Sequence, residues 1–139
     1  FPYTTLFRST NNYLANDCKT LLMALERNDS YGGLDIYVSF LDKSGLWSKP
    51  LNLGPDVNTA ADDFAPFVAA DGVTMYYATD GFATYGKNDI FVTRQLEELW
   101  KKWSVPFNLG PVINTPGSDA YYTIPASGEY AYFVSDRNS

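Results

Sequence analysis

The sequence predicts an all-β fold, a partial β-propeller of about two and a quarter four-stranded antiparallel blades. Three observations carry that expectation. The phrase LNLGPDVNT, beginning at Leu51, returns as FNLGPVINT, beginning at Phe107, within a chain of 139 residues. Short β-rich runs alternate with turn signals such as Asp71-Gly72 and Ser127-Gly128. Hydrophobic residues make up 45% and aromatic ones 17%, with Tyr 11 leading, a composition suited to half-buried pleated surfaces rather than to disorder.

The repeat extends well beyond the nine-residue phrase. A shift of 56 lays Trp47–Asp80 over Trp103–Asp136 without a gap, and 14 of the 34 pairs are identical. A shift of 54 carries the register upstream, laying Asn16–Val38 over Ala70–Val92. The difference of two residues falls in one place, FLDKSGL against RQLEELWKK. Loops absorb length changes and strands do not, so that segment is a loop. A period near 55 built of short strands is the mark of a propeller blade.

Each strand of the unit has its own local signal. FAPFVA (Phe64–Ala69) precedes Asp71-Gly72, which reads as a hairpin turn. VTMYYAT (Val73–Thr79) alternates around Tyr76 and stops at Asp80-Gly81. NDIFVTR supplies a third strand, Asp89–Arg94. WSVPFNL (Trp103–Leu109) is extended, because the residue before a proline is pushed out of helical geometry. RQLEELWKKW spaces Leu96, Leu99, Trp100 and Trp103 helically, so one helical turn and a long hairpin loop pinned by Trp100 both remain open.

These residues carry a resemblance. The order of Asp71-Gly72, Asp35-Ile36-Tyr37-Val38, Trp47, Pro50, Asn52-Leu53-Gly54 and Asn58-Thr59, with their second copies, resembles the TolB-like (WD40-like) propeller repeats. More narrowly, it is similar to the version found in outer-membrane-protein-A family proteins of the Bacteroidetes cell envelope. The resemblance covers about Asn16 to Ser139. It implies a periplasmic or outer-membrane-associated protein, anchored to peptidoglycan by a domain outside this stretch, with other envelope proteins as partners. Three positions depart from the pattern: Cys18 stands for the turn glycine, Leu25 for a small Ser or Thr, and Tyr122 for the proline at Pro66.

Domain boundaries follow from the repeat. Residues 10–59 are expected to be part of one blade, 60–115 a whole blade, and 116–139 part of a third. Nine strands are expected, with both end faces open and inviting association. Phe1–Ser9, FPYTTLFRS, matches the in-frame translation of a common short-read sequencing adapter residue for residue, and is expected to be foreign to the protein.

The recurring residues are expected to be scaffold. Ile36, Ile90, Val38 and Val92 point to one face for neighbouring blades to bury. Trp47 and Trp103 seal one blade against the next. Asn58-Thr59 and Asn114-Thr115 cap the crossing loop through side-chain hydrogen bonds.

Candidates for chemistry are few. Cys18 is the one cysteine and there is no His, which removes the usual catalytic base and the commonest zinc ligand. No catalytic or cofactor-binding residues are assigned, and no cofactor is expected. Asp62, Asp63 and Asp119 are the candidates for a hard cation, against the simpler reading of a solvated acidic loop. Asp42-Lys43-Ser44-Gly45-Leu46-Trp47 resembles the turn motif of sialidase propellers, with Gly one residue late.

A formal charge of −6 disfavours a nucleic-acid partner. No apolar run of about 18 residues spans a membrane here. The expected function is a non-catalytic scaffold or protein-interaction module. The alternative is the propeller of a larger hydrolase, a serine peptidase or a glycosidase, which would show G-x-S-x-G in a flanking domain or matched carboxylates on different blades.

Overall fold

The computed structural model describes residues 6–137. The described residues are all-β: β1 (Leu6–Leu14), β2 (Thr20–Arg27), β3 (Asp35–Phe40), β4 (Leu51–Asn52), β5 (Asp63–Val68), β6 (Thr74–Thr79), β7 (Asp89–Arg94), β8 (Phe107–Asn108), β9 (Asp119–Thr123) and β10 (Tyr132–Ser135). They form three antiparallel sheets in sequence order, β1-β2-β3-β4, β5-β6-β7-β8 and β9-β10. The two four-stranded sheets are meanders, the arrangement of a propeller blade, and the third is a hairpin.

The strand count is ten rather than the expected nine. The additional strand is β1, which completes the first sheet and begins before residue 10. Arg8 and Ser9 pair with Glu26 and Leu25, inside the segment expected to be foreign. A backbone ladder accepts any extended residues, so this pairing is silent on where the segment comes from. Residues 1–5 of that segment lie outside the described residues.

The fourth strands are far shorter than expected. Trp103 makes only an isolated bridge to Gln95, and the ladder resumes at Phe107 and Asn108. Pro106 has no N–H to donate, and Ser104 diverts the intervening partners. Its carbonyl accepts from Thr93 Oγ1 at 2.6 Å, and its Oγ accepts from Arg94 N at 2.9 Å. Ser48 repeats both contacts with Ser39 and Phe40.

Outside the bulges of β1, β5 and β9 the side chains alternate between faces, and this sets the core. Leu22, Ile36 and Val38 of the first sheet meet Val68, Met75, Tyr77 and Phe91 of the second, with Leu53 and Trp103 closing the cluster. On its other face the second sheet places Ala78 against Ala120 and Tyr76 against Tyr122, rings 4.7 Å apart. Ile36, Val38 and Ile90 are buried and Val92 half-buried, as inter-sheet packing requires.

The two tryptophans part company. Trp103 is 4% exposed within the inter-sheet cluster, whereas Trp47 is 40% exposed. The expectation that both seal sheet junctions therefore holds for Trp103 alone. Trp103 has a neighbouring sheet to pack against, and Trp47 lies on the outer face of the first sheet.

Turn geometry explains the β1–β2, β5–β6 and β9–β10 hairpins. Gly72 and Gly128 sit at φ 75 and 70, and Cys18 occupies the same position at φ 56. Cys18 is an exposed turn residue that bears the strain glycine avoids. Segment 95–102 contains no helix. Trp100, at φ 59, anchors it as a hairpin loop by packing edge-on against Phe40 and Trp103.

Candidate functional site

The repeated phrase builds a polar clamp, made twice. In the first copy Asn58 Oδ1 accepts from Ile36 N at 2.7 Å, and Asn58 Nδ2 donates to Ile36 O at 3.0 Å. The same Nδ2 donates to Asn52 Oδ1 at 2.9 Å. Asn52 Nδ2 in turn donates to Asp35 Oδ2 at 2.7 Å, and that carboxylate also accepts from Tyr31 N. The second copy repeats every link. Asn114 holds Ile90 at 2.8 and 2.9 Å, Asn108 donates to Asp89 at 2.7 Å, and Asp89 accepts from Tyr85 N.

The phrase forms this clamp for local reasons. Asn52 and Asn108 close Asx-type turns by accepting from the amides of Gly54 and Gly110 at 2.8 Å. Those glycines sit at φ 92 and 87, a region other residues avoid. The turn brings Asn58 back alongside β3 and Asn114 back alongside β7. Their Oδ1 atoms then supply the acceptor for Ile36 N and Ile90 N that β4 and β8 are too short to supply, while the two carbonyls also accept from Leu53 N and Leu109 N at 3.1 Å.

Thr59 and Asp63 extend the clamp to the next sheet. Asp63 Oδ2 accepts from Thr59 N at 2.7 Å, and Asp63 Oδ1 from Thr59 Oγ1 at 3.0 Å. Thr115 serves Asp119 in the same way at 2.7 and 2.9 Å. The backbone completes each crossing, as Asp63 N donates to Leu34 O and Asp119 N to Asn88 O. Two glycines permit the close approach. A Cβ on Gly32 would meet Ala60 O at 2.2 Å, and one on Gly86 would meet Pro116 O at 2.2 Å.

Asp62, Asp63 and Asp119 do not come together as a cation site, and a solvated loop describes only the first. Asp62 is partly exposed and accepts from Leu34 N at 2.9 Å and from Arg8 Nη2 at 2.5 Å. Asp63 and Asp119 are fully buried at successive sheet junctions. The correction has a physical reason: a carboxylate fed by a threonine amide and hydroxyl tolerates burial. Among the described residues no three His, Cys, Asp or Glu side chains gather as metal ligands would.

Burial has an electrostatic consequence. It pushes the Asp63 carboxyl up to about 7, against the bonds from Thr59 and Thr79, and the nearby Asp35 pushes it the same way. Asp35 is raised too, chiefly by burial, despite bonds from Tyr31 and Asn52. The Oδ1 atoms of Asp35, Asp89 and Asp119 are buried without a hydrogen-bond partner among the described residues. Arg137 Nη2 approaches the Asp119 oxygen to 3.8 Å. These aspartates open the DIYV-type strands and the crossings, and their recurrence at fixed spacing was the available sequence signal. Reading those strands for their Ile and Val alone misses it.

The Asp42 turn is self-contained. Asp42 Oδ1 accepts from Ser44 N, Ser44 Oγ and Leu46 N at 2.8, 2.6 and 3.0 Å, and these bonds, led by the Ser44 hydroxyl, lower its pKa.

An open surface runs along the first strands of the three sheets. β1, β5 and β9 lie side by side, and each carries a bulge at the same level, with Ala65 and Tyr121 at φ 53 and 60. A cleft of about 310 Å³ runs between them, lined by Arg8, Thr10, Asp62, Phe64, Asn88 and Tyr121. Bulges re-aim side chains toward such openings.

Comparison with protein-family models, with curated proteins and with solved structures returns no match. The functional reading therefore rests on the residues themselves. Among the described residues, no helix is long and apolar enough to cross a membrane.

Proposed function

We propose that this chain is a non-catalytic scaffold, a protein-interaction module of TolB-like propeller repeats in a bacterial cell-envelope protein. In this reading it sits in the periplasm or at the outer membrane. Peptidoglycan anchoring comes from a domain outside this stretch, and the partners are other envelope proteins.

The observation that supports the reading is how completely the recurring residues are used. Asn52, Asn58, Thr59 and Asp63, with their second copies, spend their polar atoms on neighbouring backbone and on one another, Asp119 Oδ1 excepted. Repeats keep such packing units first and carry binding on the residues that vary between copies. Phe64 and Tyr121, which line the cleft, come from positions where the copies differ.

Cell fractionation tests the proposal. An antibody against this chain should detect the full protein in the peptidoglycan-associated envelope fraction of its source cells. Recovery in the cytosolic fraction would overturn the assignment.

A further inference from the structure

The cleft between β1, β5 and β9 does not end at Tyr121. The same residue borders a second hollow of about 160 Å³, which continues between the three strands past Tyr13, Phe67 and Tyr122. Together they make one groove whose walls come from all three sheets. It mixes flat rings with unspent polar groups. Tyr121 is 44% exposed and stands edge-on to Phe64, their ring centroids 6.3 Å apart. The side-chain amide of Asn88 and the hydroxyl of Thr10 are half-buried and make no hydrogen bond to the other described residues. Asn88 and Tyr121 also break the repeat, because the matched positions carry Leu34 and Ala65. Tyr121 holds φ 60, a region costly to an aromatic residue, and this strain sits where its ring meets the groove.

We propose that this groove binds an uncharged saccharide. Aromatic rings stack on the C–H faces of a sugar ring, and an amide offers donor and acceptor side by side to neighbouring hydroxyls. The charges at the groove answer one another. Arg8 donates to both Asp62 and Glu26, so the guanidinium is already neutralised and an anionic ligand gains little from it. The bulges in all three strands disfavour an added peptide strand, because a bulge interrupts the row of backbone groups that such a strand would pair with. At about 310 Å³ the cleft stands at the lower end of ligand sites, about 300–1,000 Å³, a size for a mono- or disaccharide. The groups that would touch the sugar, Thr10, Phe64, Asn88 and Tyr121, all lie outside Phe1–Ser9. The groove supports this ligand independently of the envelope role proposed above.

NMR titration of the full chain with neutral mono- and disaccharides of glucose, galactose, mannose and N-acetylglucosamine tests the proposal. At least one sugar should shift the Asn88 side-chain amide and the Tyr121 backbone amide saturably, in the millimolar range. Tyr121→Ala and Asn88→Leu should each weaken that binding about tenfold or more. Leucine is the residue that the matched position carries in the first copy. Tyr130→Ala removes an exposed ring outside the groove and should leave binding unchanged. Circular dichroism establishes that each variant is folded, and Asn88→Ala replaces Asn88→Leu if the latter is not. Inorganic phosphate and a short neutral peptide should leave the groove signals unmoved. No saturable shift from any of the sugars, binding indifferent to both groove substitutions, or saturation of the groove by phosphate or the peptide would each overturn the proposal.

Discussion

Asn58 grips Ile36 by both backbone groups, accepting from its N–H at 2.7 Å and donating to its C=O at 3.0 Å. Asn114 does the same to Ile90. A side-chain amide is the one group that presents donor and acceptor side by side as a strand backbone does. Asn58→Ala leaves the buried Ile36 N–H unpaired, at about 1–3 kcal/mol, while Ile36 O keeps the bond from Leu53 N at 3.1 Å. Urea denaturation should register a loss of about 1–3 kcal/mol for Asn58→Ala, and a similar loss for Asn114→Ala.

The two tryptophans should separate by energy as they do by burial. Trp103→Ala opens the inter-sheet cluster and should cost about 3–5 kcal/mol. Trp47→Ala acts on a largely open face and should cost below about 1 kcal/mol. Equal losses in thermal denaturation would contradict the packing described for Trp103.

Gly32→Ala forces a methyl into the carbonyl of Ala60, 2.2 Å from the added carbon, where only backbone movement makes room. A melting temperature lower than wild type by several degrees is expected, from a loss of about 2 kcal/mol or more. The added carbon at Gly72 meets nothing within 4 Å, so Gly72→Ala carries only the strain of φ 75 and should lose less.

Asp63 gives stability a pH dependence whose sign follows from its environment. Its folded pKa is about 7, against an ordinary 3.8. Between those values the folded state holds a proton that the unfolded state has released. Stability should therefore fall as pH rises from 3.8 to about 7, by on the order of a few kcal/mol, and level off above. Asp35, also raised, adds to the same slope. Asp17 and Asp71 act in the opposite direction: slight burial pushes them up, but bonds from Thr20 and Thr74 outweigh it. Their contribution is lost only as pH falls below the ordinary carboxylate range. Denaturation midpoints across pH 4–8 check the sign, and Asp63→Asn should flatten the curve.

Deleting Phe1–Ser9 removes the Arg8 contacts to Glu26 and Asp62 and shortens β1 to residues 10–14. Exposed ion pairs contribute little, about 0–1 kcal/mol. The truncated chain should keep its circular dichroism spectrum and lose only a few degrees of melting temperature. Unfolding on truncation would show that the segment is integral to the first sheet.

The repeat made most of this architecture legible. An ungapped match fixes strand order and turn positions because both copies must fold alike, and Asp71-Gly72 named its hairpin directly. What escaped were features the pattern does not encode. The β1 strand has no turn-delimited signal of its own and is defined by its partner β2. The fourth strands look long in sequence because proline forces extended geometry, yet extension without free N–H groups makes no ladder. The exposure of Trp47 depends on which sheet lies beside it, which two tryptophans opening matching phrases cannot reveal. The buried state of Asp63 and Asp119 escaped because acidic residues in a loop read as solvated until Thr59 and Thr115 are seen to supply their hydrogen bonds.

Amide hydrogen exchange at Ile36 and Ile90 tests most directly the claim that the repeated phrase is a clamp holding each sheet. Both amides should rank among the slowest in the chain, and Asn58→Ala should accelerate Ile36 far more than Ile90, with Asn114→Ala doing the reverse. Fast exchange at both amides in the unaltered protein, or rates indifferent to either substitution, would contradict the account.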